Sequence, residues 1–247
     1  MPNHRLTLEY DGTGFEGWQR QPEGHRSVQA TLEEGIARVT GAAVRMVGAG
    51  RTDAGVHAEG QVASASFETR LAPPALARAL NAVLPADLAV VELASAPPGF
   101  HARYDARSKH YRYQVWNGAS PSPLRARRAA WVRRPLDLAA VRDAARELVG
   151  NHDFASFRAV GSRVGTTVRT LLRLDVLGAP GELVVFELEA TGFLRHMART
   201  LVGTLLEVGR GRRRCDSMAS LLAARERAAA GPTAPARGLT LVRVQYD

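Results

Sequence analysis

Arg51, Asp53 and His57 fall within one glycine-rich stretch, "GAGRTDAGVHAEGQV" at residues 48–62. Near neutrality an aspartate is a carboxylate, so Asp53 has three chemical uses: nucleophile, general base or metal ligand. It also has a bland use, opening a turn in which Gly55 supplies the left-handed residue. A solvated turn gains nothing from Arg51 and His57, whereas both can grip a phosphate or a base. No second carboxylate lies within a few positions of Asp53. That spacing speaks against a two-carboxylate glycosidase and against a carboxylate-rich metal site.

Composition narrows the partners. The chain has 247 residues, 45% of them apolar and 23% charged, the profile of a globular protein with room for one large domain or two smaller ones. Cys215 is the only cysteine, which excludes an internal disulfide and a thiolate zinc cluster. The seven histidines are spaced singly, without HExxH or HxH, so neither a metal nor another cofactor is expected. A net charge of +9 favours a polyanion, of which nucleic acid is the commonest. Lys109 is the sole lysine; arginine, which makes up the rest, suits phosphate forks and base stacking. Two runs concentrate it: Arg125, Arg127, Arg128, Arg133 and Arg134, then Arg210, Arg212, Arg213 and Arg214. Each reads either as a phosphate-contacting patch or as an exposed loop of an arginine-rich chain. No run approaches the roughly 18 apolar residues of a membrane span. The start "MPNHRLTLEYDG" carries charge where a secretion signal needs an apolar core, so the cytoplasm is expected.

The elements that must position Asp53 follow from periodicity. "RLTLEY" alternates as a strand and "DGTG" turns the chain. Ser27 caps a helix carrying Val28, Leu32, Ile36 and Val39, which Gly41 ends. "VRMV" reads as a short strand before the glycine-rich loop, and Ala63, Ala65 and Phe67 alternate after it. "PPALARALNAVLP" is a helix and "LAVVELA" a strand, so residues 1 to 94 read β-α-β-loop-β-α-β. The second half repeats the rhythm. A strand runs from Tyr111, and Asp137 caps a helix with Gly150 past its end. "VRTLLRLDVL" and "ELVVFELEA" are strands, and "FLRHMARTLVGTLLEVG" is an amphipathic helix. A further helix near 217 to 229 precedes the strand "LTLVRVQY". The expected class is α+β: two similar modules, 1–105 and 106–247, whose antiparallel sheets join into one extended mixed sheet flanked by helices, with the active-site cleft between them.

"GRTDAGVHAEGQV" closely resembles the signature loop of the bacterial tRNA pseudouridine synthase A family. The resemblance extends to "YDGTGFEGWQRQ" at 10–21, "FHARYDARSKHYRY" at 100–113 and "GNHDFASFR" at 150–158. It continues through "GFLRHMARTLVGTLLEVGRG" at 192–211 and "GPTAPARGLTL" at 231–241, in family order along nearly the whole chain. The resemblance implies an isomerase that converts uridine to pseudouridine at positions 38, 39 and 40 of the tRNA anticodon stem-loop. It implies that Asp53 is catalytic, that Tyr111 stacks on the target base, that Arg199 pairs with the aspartate and that Leu239 lines the base pocket. It also implies a homodimer and a redox-neutral reaction with no cofactor. Whether the carboxylate attacks the uracil or the sugar, or chiefly assists deprotonation, stays open.

Read from the residues alone, Tyr111 and Leu239 are equally core residues. Arg199 lies two positions from both Met197 and Leu201, at the edge of a buried stripe. For Arg51 the expectation is a part in extracting the base, by filling the vacated space or holding the flanking phosphate. The second arginine run, just past the helix that bears Arg199, is the better placed of the two. Two rival classes remain: a non-catalytic RNA-binding protein and a metal-dependent nuclease.

Overall fold

The computed structural model describes residues 1–22, 24–162 and 164–246, and the statements below concern these. The chain forms two compact units, Met1–Arg107 with Leu241–Asp247, and Ser108–Thr240.

The first unit contains β1 (Asn3–Tyr10), α1 (Val28–Thr40), β2 (Val47–Gly48), β3 (His57–Ser66), α2 (Pro73–Val83) and β4 (Leu88–Ala96). β1 runs antiparallel to β3, with Leu8 opposite Gln61, and antiparallel to β4, with Leu6 opposite Leu93. Leu6, Leu8 and Tyr10 are buried with Val28, Leu32 and Ile36 of α1 and Leu76 and Leu80 of α2. Both ends of α1 are as expected: Ser27 accepts the N–H of Ala30, and Gly41 adopts φ 76° beyond the last turn. These caps satisfy backbone groups that a helix end otherwise leaves unpaired.

β3 differs from expectation. It begins at His57, inside the stretch read as loop, and nearly all its residues are buried. Small side chains make this possible: a Cβ on Gly60 would collide with the carbonyl of Val242. A strand crowded on both faces shows no alternation, so its sequence reads as loop. The strand expected over "VRMV" shrinks to Val47–Gly48.

The second unit contains β5 (Ser108–Trp116), β6 (Ala130–Trp131), α3 (Leu138–Leu148), β7 (Gly150–Asp153), β8 (Val168–Leu177), β9 (Leu183–Ala190), α4 (Met197–Gly209) and α5 (Met218–Ala224). The last strand, β10 (Leu239–Gln245), follows. β5 and β9 are antiparallel, with Tyr111 opposite Leu188 and Tyr113 opposite Phe186, while β6 runs parallel to β5. Along the hydrogen bonds the strand order is β4-β1-β3-β10 in the first unit, with β2 on β3, and β5-β9-β8-β7 in the second, with β6 on β5. Together with five α-helices among the described residues, this is the expected α+β class with a mixed sheet.

α4 departs from expectation twice. It starts at Met197 rather than Phe193, because His196 takes φ 65° and the N–H of Met197 closes a tight turn on Leu194. It is also buried on almost every side, leaving Arg199 and Glu207 as its partly exposed residues. It is a core helix, not an amphipathic one.

Candidate active site

Asp53 lies in the eight-residue connection from β2 to β3 and is partly buried. Its carbonyl accepts the N–H of Val56 at 3.1 Å, and Gly55 adopts φ 78°, so the backbone forms the expected tight turn. That turn rests on the segment after β1. Trp18 donates its N–H to the carbonyl of Thr52 at 3.0 Å, and Gly55 donates to the carbonyl of Phe15 at 3.3 Å. The Tyr10 hydroxyl meets the Thr52 hydroxyl at 2.9 Å, and the Gln61 amide donates to the carbonyl of Gly50 at 2.8 Å. Burial pushes the Tyr10 hydroxyl up to about 12, against the smaller opposing effect of its bonds to Thr52 and Gln61. It therefore stays protonated at any working pH and serves as a neutral brace.

Glycine supplies the close approach between these two segments. A Cβ on Gly17 would lie 2.7 Å from the Thr52 carbonyl oxygen and 3.3 Å from the Asp53 carbonyl carbon. One on Gly12 would run into the Val56 carbonyl, and one on Gly48 into the Trp18 ring. The blocks "YDGTGFEGWQ" and "VGAGRTDAGVHAEGQ" are thus two halves of one braced turn. Sequence reading had missed Tyr10, Trp18 and Gln61 as supports, since each reads as an ordinary core or strand residue. The signal was the glycine spacing shared by the two blocks.

Arg51, two residues before Asp53, is exposed, with no side-chain hydrogen bond or ion pair among the described residues. His57 behaves differently from expectation: it is 2% exposed, and its Nδ1 accepts the N–H of Gly12 at 3.1 Å. With the Asp11 carboxylate 3.2 Å from the same nitrogen, the buried ring helps to hold the turn.

In the second unit Arg199 and Leu239 lie at the loop before β10, together with Tyr113 of β5. The Arg199 Nε donates to the carbonyl of Ala234 at 2.8 Å, and its own carbonyl accepts the Ala234 N–H at 3.0 Å. The Tyr113 hydroxyl donates to the carbonyl of Pro235 at 2.8 Å. Gly238 lies against the Tyr113 ring with no room for a Cβ, and Leu239 follows it, buried, at the start of β10. Gly203 of α4 approaches the Pro232 carbonyl equally closely. The 232–239 segment is therefore fixed on α4 and β5, and it holds the guanidinium of Arg199 by one edge. Tyr111 is 6% exposed, with the Phe193 ring edge-on at 5.0 Å. Phe193 can lie there because α4 begins only at Met197.

Of the two arginine runs, the second lies among acids. In the second, Arg213 bonds Glu207 and the carbonyl of Ala229, and Arg214 bonds Asp216. Half of that run is therefore offset by acids.

The family model described as tRNA pseudouridine synthase matches residues 7–105 and 144–247. tRNA pseudouridine synthase A of Myxococcus xanthus is 49% identical over 247 residues, covering 100% of this chain and 92% of its own. The protein of that name from Moorella thermoacetica is 48% identical over 248 residues, covering 100% of both chains. That of Syntrophotalea carbinolica is 48% identical over 242 residues, covering 98% of this chain and 95% of its own. No described helix is long and apolar enough to cross a membrane. Matched along its whole length, with the braced "RTDAGVHA" turn intact, the chain belongs to the tRNA pseudouridine synthase family.

Proposed function

We propose that this protein isomerises uridine to pseudouridine at positions 38, 39 and 40 of the tRNA anticodon stem-loop, with Asp53 as its catalytic carboxylate. The observation that carries this reading is the end-to-end likeness, at 48–49% identity, to proteins named tRNA pseudouridine synthase A. In the reaction the N1–C1′ bond breaks, the detached uracil turns over and a C5–C1′ bond forms. The C5 proton leaves to solvent, N1 gains one, and no electrons are exchanged.

The carboxylate has to hold its place while the base moves. The backbone bonds of the Asp53 turn and the Tyr10–Thr52 brace support that role, because a fixed reagent spares the reaction the entropy of positioning it. Extracting the base from its stack costs a few kcal/mol. Tyr111 supplies the flat surface that offsets this cost, since stacking on an aromatic ring is worth roughly 1–3 kcal/mol per base. Arg199 supplies the cation of the set, oriented through its bond to Ala234, and Leu239 an apolar wall. The protein works as a cytoplasmic homodimer.

Arg51 assists extraction, by holding the flanking phosphate or filling the vacated space; its exposure supports this. Arg51→Ala should then lose more turnover on whole tRNA than on a substrate whose target is already unpaired. Equal losses on the two would remove the flipping role. For the activity itself, the protein should release tritium from tRNA labelled at C5 of uridine. The release should vanish when uridines 38, 39 and 40 are replaced by cytidine, and release that survives the replacement would contradict the assigned positions.

A further inference from the structure

Residues 118–136 lie between the two stretches matched by the family model. They hold five arginines and no acidic residue, and all five arginines are exposed. The segment is rigidly mounted. Asn117 donates to the carbonyls of Val132 at 2.8 Å and Arg134 at 2.7 Å, and accepts the N–H of Leu136 at 3.2 Å. Ala129, Ala130, Val132 and Leu136 are buried beneath it.

Two indoles are held by their edges. Trp116 donates to the carbonyl of Ser120 at 2.8 Å, and Trp131 to that of Gly118 at 2.9 Å. The Arg125 guanidinium sits 4.5 Å over the Trp116 ring, while Trp131 remains 41% exposed. Large apolar side chains normally leave solvent. An indole fixed by its N–H and still exposed offers a stacking face at little further ordering cost.

We infer that the 123–134 segment is an RNA-docking surface, taking an unpaired base on Trp131 and backbone phosphates on Arg125, Arg128, Arg133 and Arg134. The inference rests on the proposed RNA substrate, and it assigns the docking to a stretch outside the family match. Among the described residues, none of these four arginines forms an ion pair with an acid, unlike Arg213 and Arg214 of the later run. Their charge is thus available to an external anion. A second copy of this chain fits less well. A two-fold contact sets a patch against itself, and here the charges of Arg125, Arg128, Arg133 and Arg134, in a segment with no acidic residue, would face their own kind.

The test is the binding of a fluorescently labelled tRNA transcript carrying uridines 38–40, read by anisotropy across a salt series. Light scattering on the same samples gives the mass. Arg125→Ala with Arg128→Ala, and separately Arg133→Ala with Arg134→Ala, should each lower the log–log salt slope by about two and the affinity by about tenfold near 0.1 M salt. Trp131→Ala should weaken binding about fivefold with the slope unchanged, and Trp131→Phe should restore most of it. Wild-type affinity and slope in both arginine pairs would overturn the proposal. So would a changed mass with unchanged RNA affinity, which would make this a self-association surface. Wild-type protein that binds tRNA but releases no tritium would sink the proposed activity and leave this surface standing.

Discussion

Gly17 is the position at which packing and chemistry meet most directly. Its φ of 95° is one that L side chains rarely adopt, and an alanine Cβ would lie 2.7 Å from the Thr52 carbonyl oxygen, with the Ala54 nitrogen at 3.2 Å. Since real Cβ contacts begin near 3.0 Å, relief requires a shift of a few tenths of an ångström. Neither side yields easily. The Gly17 carbonyl accepts the N–H of Val28, and the Thr52 carbonyl accepts that of Trp18. The left-handed backbone costs roughly 1–2 kcal/mol, and overpacking a further 1–3 kcal/mol or so. Gly17→Ala should therefore lower the unfolding midpoint by about 4–20 °C, taking 2–4 °C per kcal/mol for a chain of this size. A displaced reagent costs more than stability does: a 1 Å error lowers turnover by about 10²-fold, so a shift of this size should lower it by about tenfold. Two controls separate the effects. Gly41 has φ 76° with nothing within 4 Å of a Cβ, and Gly165 has open space and no left-handed strain. Gly41→Ala should lose stability but keep turnover, and Gly165→Ala should lose neither. Tritium release and thermal melts on the three variants give the answer. Full turnover in a folded Gly17→Ala protein would refute the idea that this packing fixes Asp53.

Two further predictions follow the same reasoning. Gly203→Ala would drive its Cβ into the Pro232 carbonyl, so the 232–239 segment should detach from α4 at a cost of about 3 kcal/mol or more; denaturant melts and proteolysis near residue 232 would reveal it, and wild-type behaviour would contradict the packing. Tyr10 gives a pH dependence. An unfolded tyrosine releases its proton near pH 10, whereas the buried hydroxyl holds it to about 12; stability is therefore full below pH 10 and lost as pH rises through 12. This group should remove about 1 kcal/mol between pH 9 and 11. Burial pushes Tyr113 and Tyr246 up as well, so Tyr10→Phe should shallow the alkaline decline seen in urea melts without abolishing it. An unchanged decline would count against the buried hydroxyl.

What the sequence made legible was what is decided locally. Ser27, Gly41 and Asp137 announce helix ends because a cap involves only the nearest turn. The start of β3 was hidden because Ala58, Gly60 and Ala63 are small for the sake of close approach, and closeness to a distant backbone leaves no periodic trace. β7 escaped notice because "GNHD" has none of the bulky residues that mark a strand. The same division holds at the site. Asp53 was conspicuous, set on permissive backbone with two functional neighbours. Tyr10 and Gln61 brace that loop from β1 and β3, and a buried tyrosine closing a strand looks like any core residue. His57 misled for the converse reason: its role is set by the N–H of Gly12, 45 positions away. The pairing of Arg213 with Glu207 was not legible either, because it depends on how the chain turns after α4.

The most direct measurement compares tritium release from C5-labelled tRNA by the native protein and by Asp53→Asn, which keeps the shape of the side chain and removes its charge. The proposed chemistry predicts release above background with the native protein alone, at equal folding and equal tRNA affinity. Comparable release from the two would take Asp53 out of the reaction.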